Sequence, residues 1–437
     1  MDWYLALFLI FGSLILLMVV GIPVAFAFII VNTILVFVFL GGEVGIHQFI
    51  LSMRSSITSF TLVPLPLFIL MGEVMFISGI GPRMMDAIDN WIGRLPGRLS
   101  LEAVGGGALF ATLTGASVGS VAMLGSVLIP KMEAQGYKKS MSLGPILGSG
   151  GLAIMIPPSA LAVFLGTVGD ISIGKLLIAI VFPGLLMALL YASYIITTCR
   201  IKPHLAPPYS VTLPPISKRL IDSIKYILPL GIIVFLVVGV IFLGIATPSE
   251  AAATGTLGCF VLSAAYGKLK WEVVKNATAA ALRITIMIFV IILGAKAYSQ
   301  ILAYTGATNG MVQWTAGLPL NPLLIIIAMQ IVLIILGMFI NAGPVMMITL
   351  PIFMPIVRTF GFDEVWFGVI VLLNMEMAQT TPPFGLSLFV MKGVAPPDTT
   401  MGEVYRAALP YLYCDVIAMV LIFAFPQIAL WLPSIMR

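Results

Sequence analysis

Charge is what this chain has least of. Only 9% of its 437 residues are Asp, Glu, Lys or Arg, against about 25% in a soluble globular protein, while 60% are hydrophobic and the mean hydropathy is +1.15. A water-soluble fold is excluded, and a polytopic α-helical membrane protein is expected. Histidine is nearly absent too, with His47 and His204 far apart, and Cys199, Cys259 and Cys414 form no C-x-x-C pair. Neither a metal cluster nor a disulfide framework is indicated. There is no H-E-x-x-H, no Ser/His pair at membrane depth, and Gly169-Asp170 has no matching second aspartate motif, which argues against an intramembrane enzyme. The first twenty residues carry Asp2 but no basic n-region and no A-x-A-like site, so they read as an uncleaved first span and not as a signal peptide. A net charge of +5 points to no particular partner, nucleic acid included.

What the chain does have is two long apolar segments broken in the middle. Residues 144–170, GPILGSGGLAIMIPPSALAVFLGTVGD, are long enough to span a bilayer yet contain Pro157-Pro158. A second segment around Asn374 to Gly393 contains Pro382-Pro383. Lipid offers no partner to backbone groups freed by proline, so such breaks must line protein or a water-filled cavity. Interrupted segments at corresponding places in two halves point to the substrate site of a secondary transporter.

The rest of the chain can be laid out around these breaks. Spans are expected at about Trp3–Val20, Pro23–Leu40 and Pro64–Gly79, with an interfacial arm over 43–61, a hairpin over 99–133 turning at Thr114-Gly115-Ala116-Ser117, and the broken span at 140–169. A further span follows at Ile171–Thr198. A proline-rich linker at 201–225 separates this first unit, 1–200, from a second, 226–437. The second unit repeats the order: spans at about Tyr226–Gly244 and Pro248–Tyr266, a basic arm before a span at Ile284–Tyr304, a hairpin over 321–357 turning at Asn341-Ala342-Gly343-Pro344, the broken span at 364–392, and a last span from Gly402 to Leu432. A shift of 225 residues lays Pro130 on Pro355, Gly136 on Gly361 and Pro157-Pro158 on Pro382-Pro383. Five spans plus one re-entrant hairpin per unit is an odd number of crossings, so the repeats must be inverted. With both termini periplasmic, only Arg54, Lys175, Arg358 and Arg437 lie outside, Lys296 lies within a span, and the other Lys and Arg lie inside. That is the expected positive-inside bias.

Half-helix ends and hairpin tips offer carbonyl oxygens to cations and N–H groups to anions. The residues at the four breaks are small or hydroxylic, which suits Na⁺ better than a transition metal. One expected Na⁺ site comprises Thr114, Gly115, Ser117, Ser149, Gly150, Gly151 and Pro157; the other comprises Asn341, Ala342, Gly343, Thr380, Thr381 and Pro382. Substrate is expected at Ser117, Ser159, Asn341 and Thr381, with Glu376 as a further candidate for substrate contact or coupling. Any one of these Gly or Ser residues could equally serve helix packing, the role assigned to Gly105-Gly106-Gly107. Asp170 and Asp398 precede helix starts and read as caps. Glu73 and Lys296 correspond under a shift of 223 residues, so they are candidates for an ion pair, or for separate interfacial or partner-facing roles.

With these residues in view, the chain resembles the large membrane subunit of the TRAP (tripartite ATP-independent periplasmic) transporters. The resemblance runs along essentially the whole chain and is most specific at GSGGLAIMIPPS (148–159), TPSEAAA (247–253), LGMFINAGPVMMITLPIFMPIV (336–357) and TTPPFGLSLFV (380–390). It implies an elevator-type carrier in a bacterial inner membrane, with a fixed scaffold and a moving transport domain. It also implies a periplasmic substrate-binding protein and a small four-helix membrane subunit as partners. The divalent-anion/sodium symporters have a similar repeat plan. Asn341 stands where sialic acid carriers resemble one another in having Asp, and the Ala116-Ser117 tip and Glu376 also differ from that branch; this favours a smaller acid such as a C4-dicarboxylate, another short carboxylate or a sulfonate. The competing readings are a stand-alone Na⁺/anion symporter and a channel.

Overall fold

The structure is a computed structural model that describes residues 2–93, 95–114, 117–209 and 214–436. It is all-helical among those residues. Helices α1 (Trp3–Val19) and α2 (Val24–Phe39) are joined by a short turn at Gly21-Ile22-Pro23, and α3 (Glu43–Ile57) is a separate helix within the stretch expected as an arm. After a 3-10 turn at Phe60–Leu62 comes α4 (Pro64–Ile77), then the amphipathic α5 (Gly81–Ile92). Next come α6 (Arg98–Thr114) and α7 (Ser117–Ala134), the two arms of the first hairpin, and α8 (Lys139–Met155) with α9 (Ala160–Gly169), the two pieces of the first broken span. These two pieces meet at a 47° bend. Helices α10 (Ile173–Ala179) and α11 (Val181–Ile201) close the first unit.

The chain continues with α12 (Ile216–Asp222), α13 (Leu228–Val234) and α14 (Val240–Phe242), which π-helical turns link into one stretch, Ile216–Phe242. Helix starts as soon as Pro214-Pro215 is passed, ten residues before the Tyr226 expected from sequence. Then follow α15 (Pro248–Ala265) and α16 (Trp271–Tyr304). Here the expected arm and span are one 34-residue helix, unlike α3 and α4. The difference is in the prolines: Pro64 and Pro66 force a new helix start after α3, whereas 271–304 contains none. The chain continues with α17 (Ala307–Ala316), the second hairpin arms α18 (Pro322–Phe339) and α19 (Ala342–Thr359), and the second broken pair α20 (Glu364–Thr380) and α21 (Leu386–Val394). The last expected span is in fact two helices, α22 (Met401–Ala424) and α23 (Gln427–Ser434), because Pro426 cannot extend α22.

Seven stretches among the described residues are long and apolar enough to cross a membrane, and the bent α8/α9 pair makes an eighth. Helices α1 and α2, at 17 and 16 residues, sit at the lower limit for crossing. At the centre lie α8 and α20. Every residue from Met141 to Met155 and from Val365 to Thr380 is buried. Helices apolar all round belong in such a place. Helix α8 packs on α6, α7, α11, α20 and α22; α16 packs instead on α2, α3, α4 and α19. Peripheral helices leave apolar side chains such as Phe8, Phe37, Leu257 and Ile286 exposed, as a surface against lipid tails would.

Two helix starts explain polar residues in an otherwise apolar chain. Thr247 and Glu250 form a reciprocal capping box at the start of α15, and Thr400 and Glu403 do the same for α22. The expected capping aspartates are not the caps. Ser172 caps α10, while Asp170 ends α9 in the left-handed conformation, at φ 55°. Asp398 instead meets Lys139 at 2.7 Å, and the same ammonium lies 3.2 Å from Glu403, tying the start of α8 to that of α22.

Candidate functional site

Both breaks follow from proline chemistry. Ile156 and Thr381 are extended because a residue before proline is pushed out of the helical region, and each proline pair carries a cis peptide. Around the first break the packing is tight. A Cβ on Gly107 would stand 2.5 Å from Ser149 Cβ, and one on Gly150 would stand 2.2 Å from Val121, so glycine lets α6, α7 and α8 approach closely.

Glu376 reaches from the middle of α20 into this contact. It is 0% exposed, and its Oε2 accepts from Ser117 Oγ at 3.3 Å, while Oε1 has no hydrogen-bond partner among the described residues. A Cβ on Gly151 would fall 1.2 Å from that oxygen. The carboxylate therefore occupies the space a side chain at 151 would fill. An orphaned buried carboxylate oxygen is costly unless a proton or cation meets it. Ser117, Gly151 and Glu376 are thus brought together, with Ser149 and Gly150 on the adjoining turns of α8. The side chain of Thr114, together with Gly115 and Ala116, lies outside the described residues. Asp415 accepts a hydrogen bond from Tyr191 in the same buried layer.

The two hairpins meet in a cavity of about 410 Å³. Ser117 comes from the first tip, and Asn341, Ala342 and Gly343 from the second. The wall is completed by Phe164 of α9, apolar residues of α16, and Gln379 and Glu73. Neither Gln379 nor Glu73 was assigned to the site from sequence; their only signal there was a polar residue in an apolar run. Asn341 precedes α19 without its side chain capping it, so its amide is left to face the cavity. Thr380 and Thr381 hydroxyls donate to α20 carbonyls, Thr380 at 3.1 Å and Thr381 at 2.6 Å to Met377, leaving their lone pairs for a further contact. Pro382 is half-buried beside them and Pro157 is buried. Ser159 is fully buried and caps α9, accepting from Ala162 N at 3.3 Å; like Thr380, Thr381 and Pro382 it is not part of the tip cavity lining.

Glu73 and Lys296 do not pair. Glu73 lines the tip cavity, Lys296 lines a separate one, and no ion pair joins them among the described residues.

Bent half-helices, apposed hairpin tips and a cavity at their meeting point make this a multi-pass membrane protein of transporter type. In fold it is similar to the YdaH transporter of Alcanivorax borkumensis, with a TM-score of 0.63 at 15% identity, covering 89% of this chain and 90% of that one. The family model for the tripartite ATP-independent periplasmic transporter, DctM component, matches residues 11–428, and the chain belongs to that family. It is 32% identical to the C4-dicarboxylate TRAP transporter large permease protein of Pseudomonas aeruginosa, over 86% of each chain. It is 30% identical to the isethionate TRAP transporter permease protein DctMQ of Oleidesulfovibrio alaskensis, over 94% of this chain and 64% of that protein.

Proposed function

We propose that this chain is the large permease of a sodium-coupled uptake system for a small organic acid anion, received from a periplasmic binding protein. The small four-helix membrane subunit is its other partner. The observation that carries this reading is the tip cavity, in which Ser117 meets Asn341, Ala342 and Gly343, within a family of tripartite carriers. Hairpin tips and half-helix ends offer both carbonyl oxygens and N–H groups, so bound cations and an anion can neutralise each other there.

In this reading Na⁺ is a co-substrate held at two sites. The first takes Ser117, Ser149, Gly150 and Gly151 with Pro157, and Glu376 supplies its orphaned oxygen. The second takes Asn341, Ala342, Gly343, Thr380, Thr381 and Pro382. Substrate sits on the same tips, against Ser117, Asn341 and Thr381, with Gln379 as an additional donor. The two units, 1–200 and 226–437, act as inverted repeats in an elevator, with both termini periplasmic in the bacterial inner membrane. Relatives named for a C4-dicarboxylate, for isethionate and for sialic acid lie at similar identity, 32%, 30% and 30%, so the choice of a short carboxylate or sulfonate rests on the residues at the tips, Asn341 first among them.

The test is uptake into proteoliposomes containing this chain and its small subunit. Labelled acids are scanned with and without the cognate binding protein and an inward Na⁺ gradient. Uptake that needs both is the expected result. Gradient-driven uptake without the binding protein would make the chain a conventional symporter, and flux indifferent to Na⁺ would remove the cation sites.

A further inference from the structure

A second cavity, of about 480 Å³, lies directly in line with the tip cavity. Three helices show the alignment. On α16, Met287 and Ile291 line the tip cavity and Lys296 and Ser299 line the second; on α9 the order is Phe164 then Asp170; on α19 it is Gly343 then Arg358. Nine residues separate Met287 from Lys296, so the second cavity is centred roughly 13 Å further along α16, at about 1.5 Å per residue.

The charges in this cavity are unevenly matched. Arg358 donates to Glu364 at 2.8 Å and to the Gly169 carbonyl at 3.4 Å, and it faces Asp170. Lys296 has neither ion pair nor hydrogen bond among the described residues, and its side chain is exposed to the cavity. Hydroxyls line the same cavity: Ser299 lies three residues on along the same face of α16, and Ser59 and Thr61 are paired at 2.7 Å. An unpaired ammonium on a helix long and apolar enough to cross a membrane needs water, an acid or an anionic ligand beside it.

We propose that this cavity is an anion-binding vestibule, in which Lys296 and the neighbouring hydroxyls receive the carboxylate or sulfonate of the substrate on its way to the hairpin tips. The inference rests on the organic-acid reading above and names a binding site that reading does not include.

The deciding experiment needs no transport. The three native cysteines are buried, so a Ser299→Cys variant of the reconstituted complex can be labelled with the anionic 2-sulfonatoethyl methanethiosulfonate and with its cationic trimethylammonium counterpart. The vestibule requires the anionic-to-cationic rate ratio at this thiol to exceed the ratio for a free small thiol in solution. The ratio of the two rates should fall about tenfold when Lys296→Gln is added, be retained with Lys296→Arg, and shrink as salt is raised. A ratio indifferent to Lys296→Gln, or an introduced thiol that neither reagent reaches, overturns the proposal. Because labelling depends on neither Na⁺ nor the binding protein, loss of Na⁺-driven uptake in the native complex would strike the transport reading alone. In uptake, Lys296→Gln should raise KM for the transported acid about tenfold while the Na⁺ concentration for half-maximal rate stays within about twofold.

Discussion

The same pair of letters, Pro-Pro in the middle of an apolar segment, sits in two different surroundings. The first break is sealed: Pro157, Pro158 and Ser159 are buried, and Glu376 of α20 is pressed against Gly151 just before it. The second is open: Pro382 is half-buried, Pro383 and Phe384 are exposed, and Phe384 packs on Phe339 with ring centroids 5.1 Å apart. A proline pair thus dictates that a helix must stop, but neighbouring helices decide whether the stop becomes a closed pocket or an open edge. The sealed break is shaped before any ligand arrives, whereas the open one leaves its groups to be completed by a ligand or by closure.

The contrast is broken most severely at the glycines. Gly151→Ala puts a methyl on the Glu376 carboxylate, and uptake should fall more than about 100-fold even though alanine is the better helix former by about 1 kcal/mol. Gly343→Ala at the open tip meets nothing nearer than the Phe164 ring at 3.8 Å and keeps its carbonyl, so uptake should stay within about twofold. Equal losses at both positions would show that crowding by Glu376 does not set Gly151 apart.

Glu376→Gln comes next. It keeps the shape but removes the charge, so half-saturation by Na⁺ should rise at least tenfold, roughly 1.4 kcal/mol of ion binding. A sodium titration of uptake that matches the native protein would remove Glu376 from the cation site. Thr381→Ala, at the open break, should cost only about threefold in the same titration, because it removes one neutral lone-pair donor and no ionisable group.

The smallest expected effect lies outside the membrane, where Lys139 joins the starts of α8 and α22. Lys139 beside Asp398 holds that carboxyl below its ordinary value of 3.8. A depressed folded-state pKa means the link stabilises the fold above pH 3.8, the unfolded value, and is lost as pH falls through the lower folded value. Asp398 is fully exposed, so the contribution is small. Asp398→Asn should lower the detergent-solubilised Tm by about a degree at neutral pH, and that deficit should shrink as pH falls below 3.8. A deficit that persists in acid would show that the link is not electrostatic.

Element boundaries were widely legible, and the reasons are local. Arms, hairpins and breaks end at Gly, Pro or Asn, residues that fix or free backbone dihedrals without help from the rest of the fold. The boundaries that moved did so for equally local reasons that composition alone obscures. The span expected from Gly402 to Leu432 splits at Pro426, and the polar arm before Ile284 continues into α16 because nothing in 271–304 stops a helix. The site was only partly legible. Asn341 and Ser117 flag themselves as polar residues at tips and line the cavity, whereas Ser159 and Thr381 lie off its lining and Gln379 and Glu73, unassigned from sequence, lie on it.

The amino-acid sequence by itself determined that this chain is a membrane protein, where its helices stop, and which family it belongs to, because hydropathy, proline and glycine act over a few residues. Only the tertiary structure decided which polar groups share a space. Glu73 and Lys296, matched by register, line separate cavities, while Glu376, Ser117 and Gly151, which come from three helices, meet within hydrogen-bonding reach. The reason is that a contact between helices depends on their rotation and depth, and a one-residue change turns a side chain about 100° around the axis. Local propensity does not encode that choice; the packing of α7, α8 and α20 against one another does.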